Sequence, residues 1–439
     1  MKKTLFLMAL LCASLGAGAQ EKPWNLTDCI NYALDHNLTV QQSALQVAQR
    51  EVAVNTAKNN RLPGVSAGAS QNFSFGRGLN SENTYVNTNT TNTSFSLGAD
   101  MTLFNGMRNY NNVLLSKLNL EAATIDLEKA KDDIRVAVAK AYVQILYNQE
   151  ILDVALRQID IDAFQVERLK ALRDNGKGTD AEVAAQQATL AQSRLTAVQA
   201  ENNLKISKLD LAQLLELPTP EGFDVVIPSV DAFAVQLPAG PEVIFEEAVG
   251  IKPSVKAEET RLAYAERNIS LAKGGYLPTL SLNGGLGTNY YTSSGYTSKK
   301  FFEQLGTNFS QYVGLSLNIP IFSRMSNRNQ VRTAKISYQS QALQLETAKK
   351  NLYKEIQQAW YNALASDSKF QSATSAEVSA AESFALIKAK YENGKATVTE
   401  FNEAKNRYLK AASDLAQSRY EYLYQTRLLD YYRGHELTF

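Results

Sequence analysis

Apolar and polar residues alternate along four segments of the chain, which is the period expected of β-strands with one apolar face. In the first pair the apolar positions are Val65, Ala67, Ala69, Phe73 and Phe75, then Phe95, Leu97, Ala99, Met101 and Leu103. In the second pair they are Leu280, Leu282 and Leu286, then Val313, Leu315, Leu317, Ile319 and Ile321. The alternation predicts strands at about 64–76, 94–104, 279–287 and 312–322. The polar segments inside each pair, 76–93 and 287–311, predict exposed loops.

Strands of roughly ten residues with one apolar face fit the wall of an outer-membrane barrel, which is apolar toward lipid and polar toward its lumen. The same alternation occurs at the edge of a soluble β-sandwich, so the pattern alone leaves both interpretations open. Four strands cannot close a membrane barrel, because small barrels need about eight strands and lipid does not tolerate an open edge. If these strands span a membrane, the protein must oligomerise.

Long helices are predicted where the chain lacks proline and glycine and carries apolar residues seven positions apart. The predicted ranges are 107–174, 179–216, 325–392 and 397–433. Over its second part, the first helix has the seven-spaced set Val138, Ile145, Leu152, Ile159 and Val166. The helices that follow the two turns have the sets Val183, Leu190, Ala197, Leu204 and Leu211, and Phe401, Tyr408, Leu415, Tyr422 and Leu429. Such spacing is typical of coiled coils, and on periodicity alone these could be antiparallel hairpins with no role beyond length.

One structural plan occurs twice along the chain. Asn175-Gly176-Lys177 recurs as Asn393-Gly394-Lys395, 218 positions later. We therefore predict a first structural repeat at 20–216 and a second at 244–439, each with an initial helix, two strands and two long helices. Between them, the segment 217–243 holds five of the ten prolines and predicts an extended connector.

The first residues have the pattern of a secretory signal. Lys2 and Lys3 precede an apolar run that ends at Leu15, and Ala17-Gly18-Ala19 supplies the small residues of a cleavage site. We predict a signal peptide at 1–19, which leaves Cys29 as the single cysteine of the mature chain and excludes an intramolecular disulfide. After this segment, no stretch approaches about 18 consecutive apolar residues, so no helical membrane span is predicted.

Charge and motif content narrow the range of functions. The 439 residues contain 45 Lys and Arg and 44 Asp and Glu, so the net charge of +1 gives no field that would attract nucleic acid. The chain has two histidines, His36 and His435, and it lacks a cysteine cluster, a glycine-rich phosphate loop and a hydrolase nucleophile motif. We therefore predict that the protein is not an enzyme and has no cofactor, metal site or nucleic-acid partner.

Taken together, the signal peptide, the duplicated plan, the two strand pairs and the paired long helices resemble the TolC-like outer membrane efflux protein family, the outer membrane factors. The resemblance covers essentially the whole mature chain. It implies a mainly α fold with a membrane β-barrel, in which long coiled-coil helices form a periplasmic α-barrel. Each of three protomers would give four strands to a trimeric 12-stranded barrel.

The same resemblance implies a role and a location. The role is a passive exit duct of a tripartite efflux or type I secretion system, in the cell outer membrane, with a helical tunnel in the periplasm. The implied partners are two further copies of the chain, outer-membrane lipid, a periplasmic adaptor (membrane fusion) protein and an inner-membrane pump. The alternative is a secreted coiled-coil scaffold or adhesin without channel activity. That alternative predicts a water-soluble protein and gives no use for lipid-length apolar strands.

Two helix-turn-helix tips match the periplasmic end of the family's tunnel. The matching residues are Asn175, Gly176, Lys177, Gly178 and Thr179 in the first half, and Asn393, Gly394, Lys395 and Thr397 in the second. The resemblance implies that these tips dock the adaptor protein. The other interpretation is a simple turn, because Asn-Gly readily adopts the positive φ that ends a helix.

The resemblance also implies a closed periplasmic entrance at these tips. Glu400 and Glu403 match carboxylates that line it, and three copies would form acidic rings that attract cations. Tyr391 and Glu182 match residues whose hydrogen bonds hold the entrance shut. Ala396 stands where some relatives have an arginine, so the closing network is expected to differ here. The alternative for both glutamates is a solvated helix surface.

Overall fold

The computed structural model describes residues 23–79, 83–219, 222–228, 240–294 and 297–438. The predicted signal peptide and much of the predicted connector lie outside these ranges. Among the described residues, no helix combines the length and the apolar character needed to cross a bilayer. The elements, in chain order, are α1 (Leu26–His36), α2 (Leu38–Asn59), β1 (Gly64–Leu79), β2 (Tyr85–Asn105), α3 (Arg108–Asp174), α4 (Asp180–Leu214), α5 (Pro241–Val249), α6 (Pro253–Lys273), β3 (Thr279–Ser293), α7 (Phe301–Thr307), β4 (Ser310–Asn318), α8 (Ser326–Glu392) and α9 (Val398–Tyr432).

The long helices have the same lengths in both halves of the chain. Helices α3 and α8 each contain 67 residues, and α4 and α9 each contain 35. Each second-half helix begins and ends 218 positions after its first-half counterpart. No proline or glycine interrupts any of the four, so the backbone hydrogen bonds continue over their full length.

Four antiparallel strands form one sheet in the order β1-β2-β3-β4. The register places apolar residues side by side: Ala67 is opposite Leu97, and Leu97 is opposite Leu286. Farther along the sheet, Leu282 is opposite Leu315. Because side chains alternate between the two faces of a strand, this register gathers most of the predicted apolar positions on one face. Leu103 falls at a register shift, and Ile319 and Ile321 lie beyond β4. The outer edges of β1 and β4 have no strand partner within the described chain.

All four strands extend beyond the predicted ranges, β4 by beginning at Ser310, and the predicted loops are correspondingly shorter. Strand β1 continues to Leu79, β2 begins at Tyr85 and β3 continues to Ser293. The added parts of β2 and β3 are rich in Thr, Asn and Ser on both faces, so they show no apolar alternation although their backbones join the ladder. The predicted end of β4 at about 322 is wrong: the strand ends at Asn318, two residues before Pro320, which has no N–H to donate. The helix α7 occupies part of the second predicted loop.

The chain divides into two compact units. The first comprises the described parts of Met1–Ala44, Asp126–Lys256 and Thr347–Phe439, and the second comprises Leu45–Ile125 and Ala257–Glu346, which include the sheet. Side chains from α1, α3, α4 and α9 pack together in the core of the first unit, among them Cys29, Val138, Leu146, Leu211 and Leu423. The Tyr142 hydroxyl donates a hydrogen bond of 2.6 Å to the carbonyl of Val226, so part of the connector is fixed to this core.

The single cysteine among the described residues is a core residue. Cys29 is fully buried, and burial raises the pKa of its thiol to about 12. Because the thiolate is the reactive form, we expect the folded protein to resist labelling by maleimide at neutral pH and to label after unfolding in urea. Mass spectrometry of both samples tests this expectation. Rapid labelling of the folded protein would contradict the burial of Cys29.

Candidate functional site

The first tip has the hydrogen bonds of a Schellman motif. Helix α3 ends at Asp174, and Gly176 has a φ of +69°. The N–H of Gly176 donates to the carbonyl of Arg173, and the N–H of Lys177 donates to the carbonyl of Leu172, both at 2.8 Å. These bonds satisfy carbonyl groups at the helix end that have no partner within the helix. Glycine is needed here because other residues are strained at positive φ.

The second tip repeats this geometry. Gly394 has a φ of +70°, its N–H donates to the carbonyl of Tyr391, and the N–H of Lys395 donates to the carbonyl of Lys390. The side chains of Asn175 and Asn393 each donate to a carbonyl four residues earlier in their helix, at 2.7 and 2.8 Å. Both lysines of the turns are exposed. The two tips therefore present nearly the same backbone and the same exposed groups.

A capping box opens the helix that follows each tip. The N–H and hydroxyl of Thr179 donate to a carboxylate oxygen of Glu182, at 2.9 and 3.0 Å, and the N–H of Glu182 donates to the Thr179 hydroxyl oxygen at 3.2 Å. Thr397 and Glu400 make the same three bonds. The bonds from threonine, above all from its backbone N–H, lower the pKa of both glutamates. Both carboxylates thus fix a helix start, and both remain exposed.

Glu403 lies one helical turn after Glu400 and is also exposed. Its carboxylate is 3.5 Å from the guanidinium of Arg407, which is four residues later on the same helix. Such an exposed pair stabilises a helix only weakly. The predicted acidic pair is therefore present on the surface of the first turns of α9, with one member in a helix cap and the other beside an arginine.

Tyr391 is buried at the second tip, where an arginine from the first half of the chain contacts it. The tyrosine is 6% exposed, and its ring centre is 4.9 Å from that of Phe401. The Arg168 guanidinium lies 4.3 Å from the centre of the Tyr391 ring. One of its nitrogens, Nη2, donates to the carbonyl of Tyr391 at 2.6 Å and to that of Glu392 at 3.2 Å. A cation is favourable at these last carbonyls of α8, where the helix dipole is negative.

A buried ion pair links the first and second halves of the chain. Asp162 on α3 is 0% exposed and Lys405 on α9 is 1% exposed, and the lysine Nζ is 2.5 Å from a carboxylate oxygen of Asp162. The same carboxylate accepts hydrogen bonds from the Gln186 amide at 3.2 Å and from the Ser193 hydroxyl at 2.6 Å. A buried carboxylate requires this number of partners, because each unmet bond would cost free energy.

The sequence marks this pair by placing one charged residue within the apolar seam of each of the two helices. Asp162 comes three residues after Ile159 and four before Val166, so it stands in the apolar seam of its helix. Lys405 comes four residues after Phe401 and three before Tyr408. A charge at such a position is unfavourable without a partner, so two opposite charges at seam positions predict a contact. For Arg168 no comparable signal exists, since a lone arginine near a helix end is commonly a surface residue.

The tips and strands together define a class of protein. A sheet with one apolar face, whose outer edges have no strand partner among the described residues, belongs in a membrane barrel, and paired long helices with turned tips are the second element of this class. This combination is that of an outer-membrane channel protein.

Residues 29–216 and 245–434 match the family model described as outer membrane efflux protein. The chain therefore belongs to the outer membrane efflux protein family. It is 25% identical to the outer membrane protein TolC of Escherichia coli (strain K12) over 435 residues, which cover 96% of this chain and 84% of that protein.

Solved structures with the same fold are outer membrane channels. The CmeC channel of Campylobacter jejuni has a TM-score of 0.78 at 17% identity and covers 94% of this chain and 86% of its own. The MtrE channel of Neisseria gonorrhoeae, in its open state, has a TM-score of 0.76 at 21% identity. The match covers 94% of this chain and 90% of the MtrE chain. The predicted family, the mainly α fold with a membrane barrel and the outer-membrane location with a periplasmic helical tunnel are confirmed. The chain is an outer-membrane efflux channel protein.

Proposed function

We propose that three copies of the chain form one continuous passive duct, with a 12-stranded barrel in the outer membrane and the long helices as its periplasmic tunnel. The observation that carries this proposal is the four-stranded sheet, whose two outer edges have no strand partner in the part of the chain that the structure describes. Strands β1 and β4 point in opposite directions, so β4 of one copy can pair with β1 of the next in antiparallel fashion. Repetition of that pairing closes the barrel and leaves no edge in lipid.

Exposed apolar side chains on α4 support contacts between copies in the helical part. Leu195, Val198, Ile206 and Leu209 are all about half exposed or more. Their spacings of three, eight and three residues place them on one face of the helix. Such a stripe gains stability when a second helix covers it.

The oligomer and its conductance can be measured on detergent-extracted protein. We expect light scattering to give the mass of a trimer and planar bilayers to give discrete conductance steps after its insertion. A scaffold or adhesin would be extracted without detergent, as a monomer that does not conduct. A detergent-free soluble monomer would overturn the duct proposal and favour that alternative.

The tips are proposed as the docking surface for a periplasmic adaptor protein, which would connect the duct to an inner-membrane pump of a tripartite efflux or type I secretion system. The pump would supply the energy, since the duct is passive. The exposed turn lysines, Lys177 and Lys395, are suited to carry a photo-crosslinker in place of the side chain. We expect crosslinks to one periplasmic protein from both positions and none from Lys410, an exposed lysine farther along α9. Equal yields from all three would argue against docking at the tips.

We further propose that Glu182, Tyr391, Glu400 and Glu403 belong to the periplasmic entrance of the duct, which the second tip closes in its resting state. Arg168 supports this role because it joins α3 to the end of α8 by two hydrogen bonds and a ring contact. Arg168 on α3 would thus take the place of the arginine that some relatives have at the position of Ala396. The exposed carboxylates of Glu400 and Glu403 would form acidic rings in the trimer.

Neutralising Glu400 and Glu403 together is expected to weaken block of the channel by multivalent cations added from the periplasmic side. The substitution should be Glu→Gln, because glutamine can still accept the capping bonds whereas alanine would also remove the cap. The capping bonds lower the pKa of Glu400, so its carboxylate, charged at neutral pH, stays charged to a lower pH than that of an uncapped glutamate. The capping contribution is complete above the ordinary pKa and is lost as the pH falls through the lowered one.

Asp414→Asn is the control for this experiment, since it removes one exposed carboxylate from α9 about three turns after Glu403, outside the residues proposed for the entrance. We expect it to change the blocking concentration less than the double variant does. Unchanged block in the double variant would leave Glu400 and Glu403 as surface charges.

A further inference from the structure

The short helix α7 lies against the part of β3 that extends beyond β4. Strand β4 pairs with β3 from Thr279 to Gly287, whereas β3 continues to Ser293. On this free edge, the side-chain amide of Gln304 accepts from the N–H of Tyr291 at 2.9 Å and donates to its carbonyl at 3.0 Å. The Asn308 side chain donates to the carbonyl of Asn289 at 2.8 Å. Side chains from α7 and its end thus take the place of a strand partner and attach the helix to β3.

The contacts of α7 show which face of the sheet it covers. The Thr288 hydroxyl donates to the carbonyl of Leu305 at 2.6 Å, and the Tyr290 ring is 5.0 Å from that of Phe301. Thr288 and Tyr290 lie two and four residues after Leu286, so their side chains share its face. Leu286 belongs to the apolar face of the sheet, which in an outer-membrane barrel faces lipid. The helix therefore lies on the lipid side, at the loop end of the strands.

Aromatic residues concentrate at this level of the apolar face. Phe302, the second residue of α7, is 83% exposed although it is fully apolar. Phe73 on β1 is opposite Thr91, which is opposite Thr292, so Phe73 lies on the same face only two positions beyond the level of Tyr290. Aromatic side chains form girdles on barrels where acyl chains meet headgroups, because their rings are apolar and tolerate the polar boundary.

We propose that α7 is a lipid-binding element, which inserts Phe302 at the boundary between the acyl chains and the headgroups of the outer leaflet. The flanking lysines place positive charge at the same level: Lys299 pairs with Glu303 at 3.1 Å, and Lys300 is exposed. Both can reach lipid phosphates from there. The proposal rests on the outer-membrane location and the face covered by α7. It does not depend on the tips or on the adaptor.

Brominated lipids, which quench tryptophan fluorescence at short range, test this inference. The variant Phe302→Trp is placed in nanodiscs of phosphatidylcholine brominated either near the headgroup end or near the tail end of the acyl chains. We expect loss of its fluorescence with the first lipid and little loss with the second. The wild-type chain, with Trp24 and Trp360, supplies the background.

Tyr291→Trp is the matched control, because Tyr291 neighbours Tyr290 on β3 but its side chain points to the opposite, polar face. We expect no quenching there. Equal quenching of both variants, or none of Phe302→Trp, would overturn the proposal. A disulfide that forms between Phe302→Cys of one copy and Phe75→Cys of a neighbouring copy would also overturn it, since α7 would then contact protein and not lipid. Because Phe302 is exposed, its substitution should leave the fold intact, and circular dichroism checks this.

Discussion

Replacing Asp162 with alanine is expected to lower the free energy of unfolding by about 3–5 kcal/mol, because it leaves the ammonium of Lys405 buried without its charged partner. The Gln186 amide and the Ser193 hydroxyl would lose their acceptor as well. Urea unfolding of the detergent-solubilised protein, followed by the helical circular dichroism signal, measures the change.

Two further variants separate the buried pair from ordinary surface charge. Asp414→Ala removes the partner of Lys410 in an exposed pair on α9, the helix that also carries Lys405. It should lower the free energy of unfolding by no more than about 1 kcal/mol. Replacing Asp162 by Leu together with Lys405 by Met should recover most of the lost free energy of unfolding, because no unpaired charge then remains in the core. If Asp162→Ala unfolded at the same urea concentration as Asp414→Ala, the pair would not be buried in solution.

Substituting Arg168 with alanine is expected to raise the resting conductance of the channel several-fold in planar bilayers, given the proposed closed entrance. The change removes two hydrogen bonds to the last carbonyls of α8 and the cation held against Tyr391. With those contacts gone, α3 restrains the second tip less, although Asp162 still holds Lys405 on α9. Arg168→Lys should give an intermediate value, since an ammonium can donate to a carbonyl but lacks the planar group that stacks on the ring.

Arg173→Ala is the control for conductance. Arg173 is also a tip arginine, but its partners Asp174 and Asp180 belong to the first tip itself, so no contact with α8 is lost. We expect its conductance to match that of the unchanged protein. A closed, folded Arg168→Ala channel would contradict the role of Arg168 at the entrance.

Local chemistry explains which parts of this architecture can be predicted from sequence. The tips are predictable because Asn-Gly provides the positive φ and because Thr179 and Glu182 have the spacing of a capping box. The apolar parts of the strands are predictable because one face must be buried or face lipid. The outer parts are not, since a segment such as 85–94 is polar on both faces and its place in the sheet depends on a partner strand.

The contacts that join the two halves are harder to predict, because they depend on packing between distant segments. Asp162 and Lys405 are 243 positions apart, and only their seam positions mark them. Both hydrogen bonds of Arg168 at the second tip go to backbone carbonyls, groups that every residue has, so only its contact with the Tyr391 ring depends on side-chain identity. The position of α7 likewise depends on β4 being shorter than β3.

The equal lengths of the long helices restrict how this gene can change over time. One inserted residue in α3 would advance the rest of the helix by about 1.5 Å and turn it by roughly 100° about the helix axis. Each later side chain would then leave its place in the apolar seam. Substitution carries no such penalty. Accordingly, Asp162 corresponds to Ala380 and Arg168 to Leu386, while the helix ends still match residue for residue. Within the long helices, the two halves of the chain therefore differ in chemistry by substitution at unchanged length.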